Sequence, residues 1–318
     1  MQPYPLLLQP VFKERIWGGT WLRETFGYPL NGEAIGECWA ISAHPHGCSR
    51  IANGPLSGKT LDEVWHAFPE WFGTKPGTPF PILVKMIDAA QDLSIQVHPD
   101  DHWARVLEGE PMGKTECWYV LDAEPGAKIV YGHTARRQEE LEAMIREGRW
   151  EELLRHVPVE KGDFIYVPAG TVHALCQGVR VLEVQQSSDV TYRLYDYGRL
   201  DKNGQPRELH LEKAMQVIRI PSPSLQPNKV LKKGIATSFP SGPHFQVEHW
   251  DVSDELSFVS HGPFYTVSIL EGEGELRIDE QIFPLQKGDH LLVPGAISFQ
   301  HFHGSFQAIA TFVPDTKH

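Results

Sequence analysis

Short apolar runs separated by Gly, Pro, Asp and Asn clusters dominate the chain, as at 163–168 (DFIYVP), 179–186 (VRVLEVQQ), 264–270 (FYTVSIL), 274–278 (GELRI) and 290–294 (HLLVP). Strands this short and this closely spaced predict a mainly β sandwich or barrel rather than alternating βαβ units. Helical periodicity is local. Thr60 stands as an N-cap before LDEVWHAF, whose Leu61, Val64, Trp65 and Phe68 share one face. Residues 138–156 predict one or two amphipathic helices interrupted near Gly148, and residues 211–219 another. The proline-rich stretch 221–243 reads as a linker between a first unit, 1–220, and a second, 244–318. Strands of the N-terminal segment are open to sharing with that second unit.

The pattern then repeats. A Lys-Gly-Asp turn, an apolar strand and a Pro/Gly turn occur twice, with Gly162 matching Gly288, Pro168 matching Pro294 and His173 matching Phe299. The first copy ends on a potential metal ligand and the second on an aromatic ring. Two related barrels, one bearing a site, is the economical arrangement.

Candidate chemistry begins at Ser94-Ile95-Gln96-Val97-His98. On a strand, Ser94, Gln96 and His98 face one side while Ile95 and Val97 face the other. Glu116 opens a further strand-like run, ECWYVL, directly after Gly113-Lys114-Thr115. Two imidazoles (His98 and His173), one carboxylate and one amide oxygen make a mixed N/O set suited to Zn²⁺, with Mn²⁺, Co²⁺ or Fe²⁺ as alternatives. In a chain with 16 histidines, His98 taken alone reads as a structural residue. The combined set carries more weight.

Charge narrows the partners. The formal net charge is −12, with no basic stripe to neutralise a phosphate backbone, so nucleic acid is not expected. An anionic metabolite needs a few focused positive groups within this negative whole. The apolar runs are too short to span a bilayer. No basic residue precedes the three leucines near the start, so no leader is expected there. Cys38, Cys48, Cys117 and Cys176 form no CxxC, which fits reduced thiols and a cytoplasmic location. The oligomeric state is left open by these patterns.

Several of these residues carry a family resemblance. Gly162-x5-Pro168-x-Gly170-x2-His173 resembles the second cupin motif. SIQVHPDD, the GKTE at 113–116, PAGTVHAL at 168–175, SSDVTYR at 187–193 and IGECWAIS at 35–42 together resemble the short bacterial branch of the type I mannose-6-phosphate isomerases. The resemblance implies two cupin-type jelly-roll barrels with a few short helices, the first catalytic and the second degenerate. It implies one Zn²⁺ per chain on Gln96, His98, Glu116 and His173, with Arg193, Lys114 and Glu183 as catalytic residues. The implied reaction converts mannose 6-phosphate to fructose 6-phosphate through an enediolate, with the sugar phosphate as the partner. After Arg193 the sequence departs from the longer members, reading LYDYGR.

Other assignments stay open at this point. Glu183 and Lys114 both have the type of a proton carrier. Glu183 can instead be a buried partner of Arg193, and Arg193 an ion-pair partner of Asp189 or Asp196. An Fe²⁺ dioxygenase usually wants His-x-His where this chain has Gln96-x-His98, and a non-catalytic sugar-binding cupin needs no intact ligand set. Trp17-Gly18-Gly19 reads as architecture, His44-Pro45-His46 as a pair without a third ligand, and residues 272–275 as a hairpin turn. His301 and His303 share a strand face as an incidental or vestigial pair. Since both imidazole ligands must be neutral, activity is expected to fall below about pH 6.

Overall fold

The first unit is two antiparallel sheets laid face to face. The computed structural model describes residues 1–30, 34–201, 203–225, 231–259 and 262–314. One sheet has six strands in the order Phe164–Val167, Glu116–Ala123, Val179–Gln186, Ile82–Ala89, Ile35–Ile41 and Val11–Gly19. The other has five, in the order Leu154–Pro158, Lys128–His133, His173–Leu175, Ile95–Val97 and Tyr192–Tyr195. A mainly β, cupin-type architecture is the result.

Period-2 alternation sorts each strand's residues between two environments. In the six-stranded sheet, Cys117, Leu121, Leu182, Val184, Val84 and Met86 point outward into a core shared with Phe239, Phe264, Leu292 and Ile309 of the second unit. The opposite face runs from polar to apolar along its length. Trp118, Val120, Val181, Val179, Ile87 and Ala89 pack against Ile129 and Leu175 of the facing sheet. Towards the other end, the same rows continue as Glu116, Glu183 and Lys85. The space between the sheets therefore has a dry end that holds the fold and a polar end that can hold chemistry.

Ile95 and Val97 are fully buried on the far side of the five-stranded sheet, under the helices Gln138–Arg146 and Leu211–Val217. Their burial points Gln96 inward, as the alternation required. Thr60 caps the helix Leu61–Ala67 and is locked by a reciprocal capping box with Glu63. The helix expected over 138–156 breaks at Gly148, whose φ is 67°. It resumes only at Trp150–Leu153, and residues 154–156 belong to the strand Leu154–Pro158. Sheet pairing with Lys128–His133 claims those last residues.

The second unit is built on a ten-stranded sheet. Leu6–Gln9 joins it by pairing with His290–Pro294, and also pairs with Arg50–Ile51, so the N-terminal segment does contribute a strand. Part of the expected linker, 221–243, is strand: Leu231–Lys233 pairs with Ala236–Phe239, which pairs with Gln246–Val252. Residues 226–230 of that stretch lie outside the described residues.

The sequence repeat is a structural repeat. Asp163 Oδ2 accepts from the Glu160 amide at 2.9 Å, and Asp289 Oδ2 from the Gln286 amide at 2.8 Å. Gly162 and Gly288 share a left-handed φ, 94° and 90°. The copies diverge at their ends. His173 is buried, whereas its counterpart Phe299 is 52 % exposed. Residues 272–275 are also not a turn. They lie inside the 15-residue strand Phe264–Ile278, just past an irregularity between Ile269 and Glu271. At Gly272, φ is 78° and an added Cβ would sit 2.1 Å from the Ser305 carbonyl oxygen, so glycine marks a close strand approach.

Candidate functional site

Strand register brings the proposed ligands together. His173 pairs with Gln96 across two strands of the five-stranded sheet, and Gln96 pairs with Arg193 on its other side. Glu116 begins its strand opposite Val167 and Gln185. His98 follows the end of Ile95–Val97. The result is a fully buried cluster of His98, Glu116 and His173, with one ligand atom from each within 4.8 Å of the others.

The hydrogen bonds orient this cluster. His98 Nδ1 lies 2.9 Å from the Val190 carbonyl and His173 Nδ1 lies 2.9 Å from the Thr171 carbonyl. A carbonyl only accepts, so each Nδ1 carries the proton and each Nε2 presents a lone pair. Those lone pairs face Glu116, with His98 Nε2 3.5 Å from Oε2 and His173 Nε2 3.3 Å from Oε1. Glu116 Oε1 is buried without a hydrogen-bond partner. Acceptor facing acceptor in a dry site is unfavourable unless a cation stands between them. Lys114 supplies one positive charge, with Nζ 2.7 Å from Glu116 Oε2 and 3.0 Å from His98 Nε2. Gln96 Nε2 is 3.4 Å from His173 Nε2, and a half-turn of that amide would present its oxygen instead. The donor set and its orphaned carboxylate oxygen fit a divalent cation.

Burial disfavours the charged form of both rings. It pushes His98 well below the usual imidazole range, with Lys114 and His173 adding to the effect, and pushes His173 down to about 4. A ring with a lowered pKa stays neutral, and so stays a ligand, until the pH nears that lower value. The expected loss below about pH 6 therefore shifts towards pH 4 for metal retention. Metal content after dialysis at stepped pH checks this, and half-loss at an ordinary imidazole value near 6.5 would contradict it.

A cleft of about 690 Å³ opens from this cluster, and Gln96, Lys114, Glu183, Arg193 and Ser94 all line it. Glu183 is not bound to Arg193. Trp118 Nε1 donates to Glu183 Oε2 at 3.0 Å, and Lys85 Nζ lies 3.5 Å from Oε1. Burial raises its carboxyl, with Glu116 adding to the rise and Lys114 and Lys85 opposing it. For Lys114, burial works against the charge, but Glu116 and Glu183 outweigh it and hold the ammonium above its ordinary value.

Arg193 also departs from its alternative reading. Its Nε donates to Ser94 Oγ at 3.2 Å and its Nη1 to the Glu208 carbonyl at 2.8 Å, both neutral atoms. Asp196 is taken by Arg207 and Arg199, and Asp189 by His46.

Sequence reasoning missed other cleft residues. Lys85 is buried in the strand Ile82–Ala89 and paired to Glu183 by register. A lone cation in an otherwise apolar run was the available signal, since buried lysines are almost always paired. Arg15 and Glu37 form a bidentate pair, and Glu37 also accepts from Trp39 Nε1 at 2.6 Å. Burial would raise Glu37, but Lys85 and Arg15 outweigh it and hold the carboxyl at about 2. Arg15, Glu37, Lys85 and Glu183 thus line the cleft with alternating charges. Trp17, read as architecture, lines the same cleft, while the close approach of Gly18 to Gly36 fits the architectural reading. His301 binds Ser257 Oγ at 2.6 Å, and among the described residues no three-ligand group forms around it.

Comparison with known proteins identifies the family and the fold. Residues 6–126 match the type I phosphomannose isomerase catalytic domain, and residues 235–313 match the mannose-6-phosphate isomerase cupin domain. Mannose-6-phosphate isomerase ManA of Bacillus subtilis is 46 % identical over 314 residues, covering 98 % of this chain and 99 % of that protein. The mannose-6-phosphate isomerase of Streptococcus mutans is 45 % identical over 309 residues, covering 96 % and 98 %. The crystal structure of a Bacillus subtilis mannose 6-phosphate isomerase superposes with a TM-score of 0.93 at 47 % identity, covering 98 % of this chain and all of the other.

Proposed function

Because the chain belongs to the type I phosphomannose isomerases, we propose a division of labour among its own residues for interconverting mannose 6-phosphate and fructose 6-phosphate. Gln96, His98, Glu116 and His173 hold one Zn²⁺. When bound, that ion supplies Lewis acidity for the negative charge that develops on the substrate oxygens in an enediolate. The observation that carries this reading is the two imidazole lone pairs turned towards the Glu116 carboxylate, whose Oε1 is buried without a hydrogen-bond partner. The Gln96 amide is neutral, so the four protein ligands bring only one negative charge to a doubly positive ion.

The isomerisation removes a proton from C2 and returns one at C1, so a single group must reach both carbons. Glu183 is assigned this role. It lines the cleft, and burial lifts its carboxyl towards the range in which it can both take and give a proton. Lys114 stays charged and stabilises the enediolate oxygen by a charge-assisted hydrogen bond. Arg193 receives the phosphate, whose charge is about −1.5 to −2 near neutral pH. Its hydrogen bonds to neutral atoms leave the charge of its guanidinium for the substrate.

Glu183→Gln keeps the shape and removes the proton chemistry. Its kcat for mannose 6-phosphate is expected to fall by about 10²–10⁴-fold, with metal content unchanged. Coupled-assay kinetics beside elemental analysis read both quantities, and a variant with normal kcat would transfer the role to another group. Neither the Fe²⁺ dioxygenase nor the non-catalytic cupin is favoured by the family to which the chain belongs. The absence of any helix long and apolar enough to cross a membrane, among the described residues, is compatible with a cytoplasmic enzyme.

A further inference from the structure

His44-Pro45-His46 does have a third ligand, contrary to the reading of the sequence. His46 Nδ1 lies 3.0 Å from Asp189 Oδ2, and one donor atom from each of His44, His46 and Asp189 lies within 4.8 Å of the others. The two histidines sit on a tight hairpin between the two-residue strands Ala43–His44 and Gly47–Cys48. Asp189 comes from the loop after Val179–Gln186, far away in sequence.

The geometry points to a second divalent transition-metal site, formed by His44, His46 and Asp189 at the rim of the cleft. Three observations support it. The hairpin is anchored: His44 packs edge-on against Trp39 and Lys13 Nζ binds the His46 carbonyl at 2.5 Å, while the His46 amide donates to His44 Nδ1 at 3.2 Å, a bond that a metal at that nitrogen would displace. The adjoining pocket of about 340 Å³ adds further donors, Asp62, His66 and Glu110, set against the positive charge of Lys13 at the His46 carbonyl. The chemistry is also suitable, since two imidazoles and one carboxylate make the His₂-carboxylate set that zinc accepts, with water completing the shell.

Two donors on one tetrahedral zinc stand about 3.4 Å apart, given bonds of about 2.0–2.1 Å. Closing the set from its present spacing takes a shift of roughly an ångström, and His46, 69 % exposed at its side chain, has room for it. The ion would replace the hydrogen bond between His46 Nδ1 and Asp189 Oδ2. Asp189 lines the substrate cleft as well as this pocket, so the two sites meet at one carboxylate. Partial exposure makes this the weaker site, filled only when zinc is in excess.

Equilibrium dialysis of the full chain against zinc chloride, followed by elemental analysis, tests the assignment. The wild type is expected to hold two ions, His46→Ala one, His98→Ala one and the double variant none. Cobalt(II) in place of zinc should give a second set of visible d–d bands that is absent from His46→Ala. The His98→Ala arm separates this site from the one in the proposed function, because failure there leaves the count at the rim intact. An ion count that is the same in the wild type and in His46→Ala overturns the proposal. Asp189→Asn, which keeps the side-chain shape, repeats the test should His46→Ala fold poorly.

Discussion

His98→Ala protein is expected to purify folded, without metal at the buried site, and with kcat lowered by more than about 10³-fold. His98 provides a neutral donor whose direction is fixed by the Val190 carbonyl. Without it, Glu116 and His173 remain with a lone pair and a carboxylate but one fewer neutral ligand. The substitution also leaves the Val190 carbonyl without its donor, at a cost of about 1–3 kcal/mol. The fold should tolerate that, because the packing of this strand rests on Ile95 and Val97, which point to the other core. Circular dichroism separates folding from metal loss, and elemental analysis beside a coupled assay separates metal loss from catalysis. A metal-free His98→Ala enzyme with wild-type turnover would remove the ion from the reaction, and a variant that keeps its metal at the buried site would remove His98 from the ligand set.

Arg193→Ala is expected to keep its metal and lose about 10²–10³-fold in kcat/KM, the scale of removing one partner from a desolvated, hydrogen-bonded charge pair. The guanidinium is anchored at the cleft wall through Ser94 Oγ and the Glu208 carbonyl, and its strand is locked beside Gln96 by register. Its removal takes away the planar fork but touches no ligand atom. Arg193→Lys keeps the positive charge and loses the fork, so an intermediate loss, weighted towards KM, would separate phosphate grip from simple electrostatics. Unchanged kcat/KM for Arg193→Ala would remove the residue from substrate binding.

Much of the fold and of the candidate metal site was legible in one dimension because it rests on local periodicity. Alternation at 94–98 placed Gln96 and His98 on one face, and Thr60 with its helix followed from capping and 3.6-residue spacing. The repeated Lys-Gly-Asp turn was readable because its Asp side chain bonds a backbone amide three residues earlier, a contact contained within the motif. Readings failed where a residue's role is set by a distant neighbour. Gly272 looked like a turn because its left-handed φ suits both a turn and a strand irregularity, and only the approach of Ser305 distinguishes them. Residues 154–156 had helical periodicity but were claimed by pairing with Lys128–His133.

The candidate site divides along the same line. Residue type and alternation fix which side chains could bind a cation and which faces of their strands they occupy, because side-chain direction follows from chain geometry within a few residues. Which of them meet depends on contacts between distant parts of the chain. Cross-strand register set His173 against Gln96 and Lys85 against Glu183, and chain return from distant loops brought Val190 to His98 and Asp189 to His46. Register and loop return are chosen by the burial of whole sheet faces, a global sum over many residues that no local pattern contains.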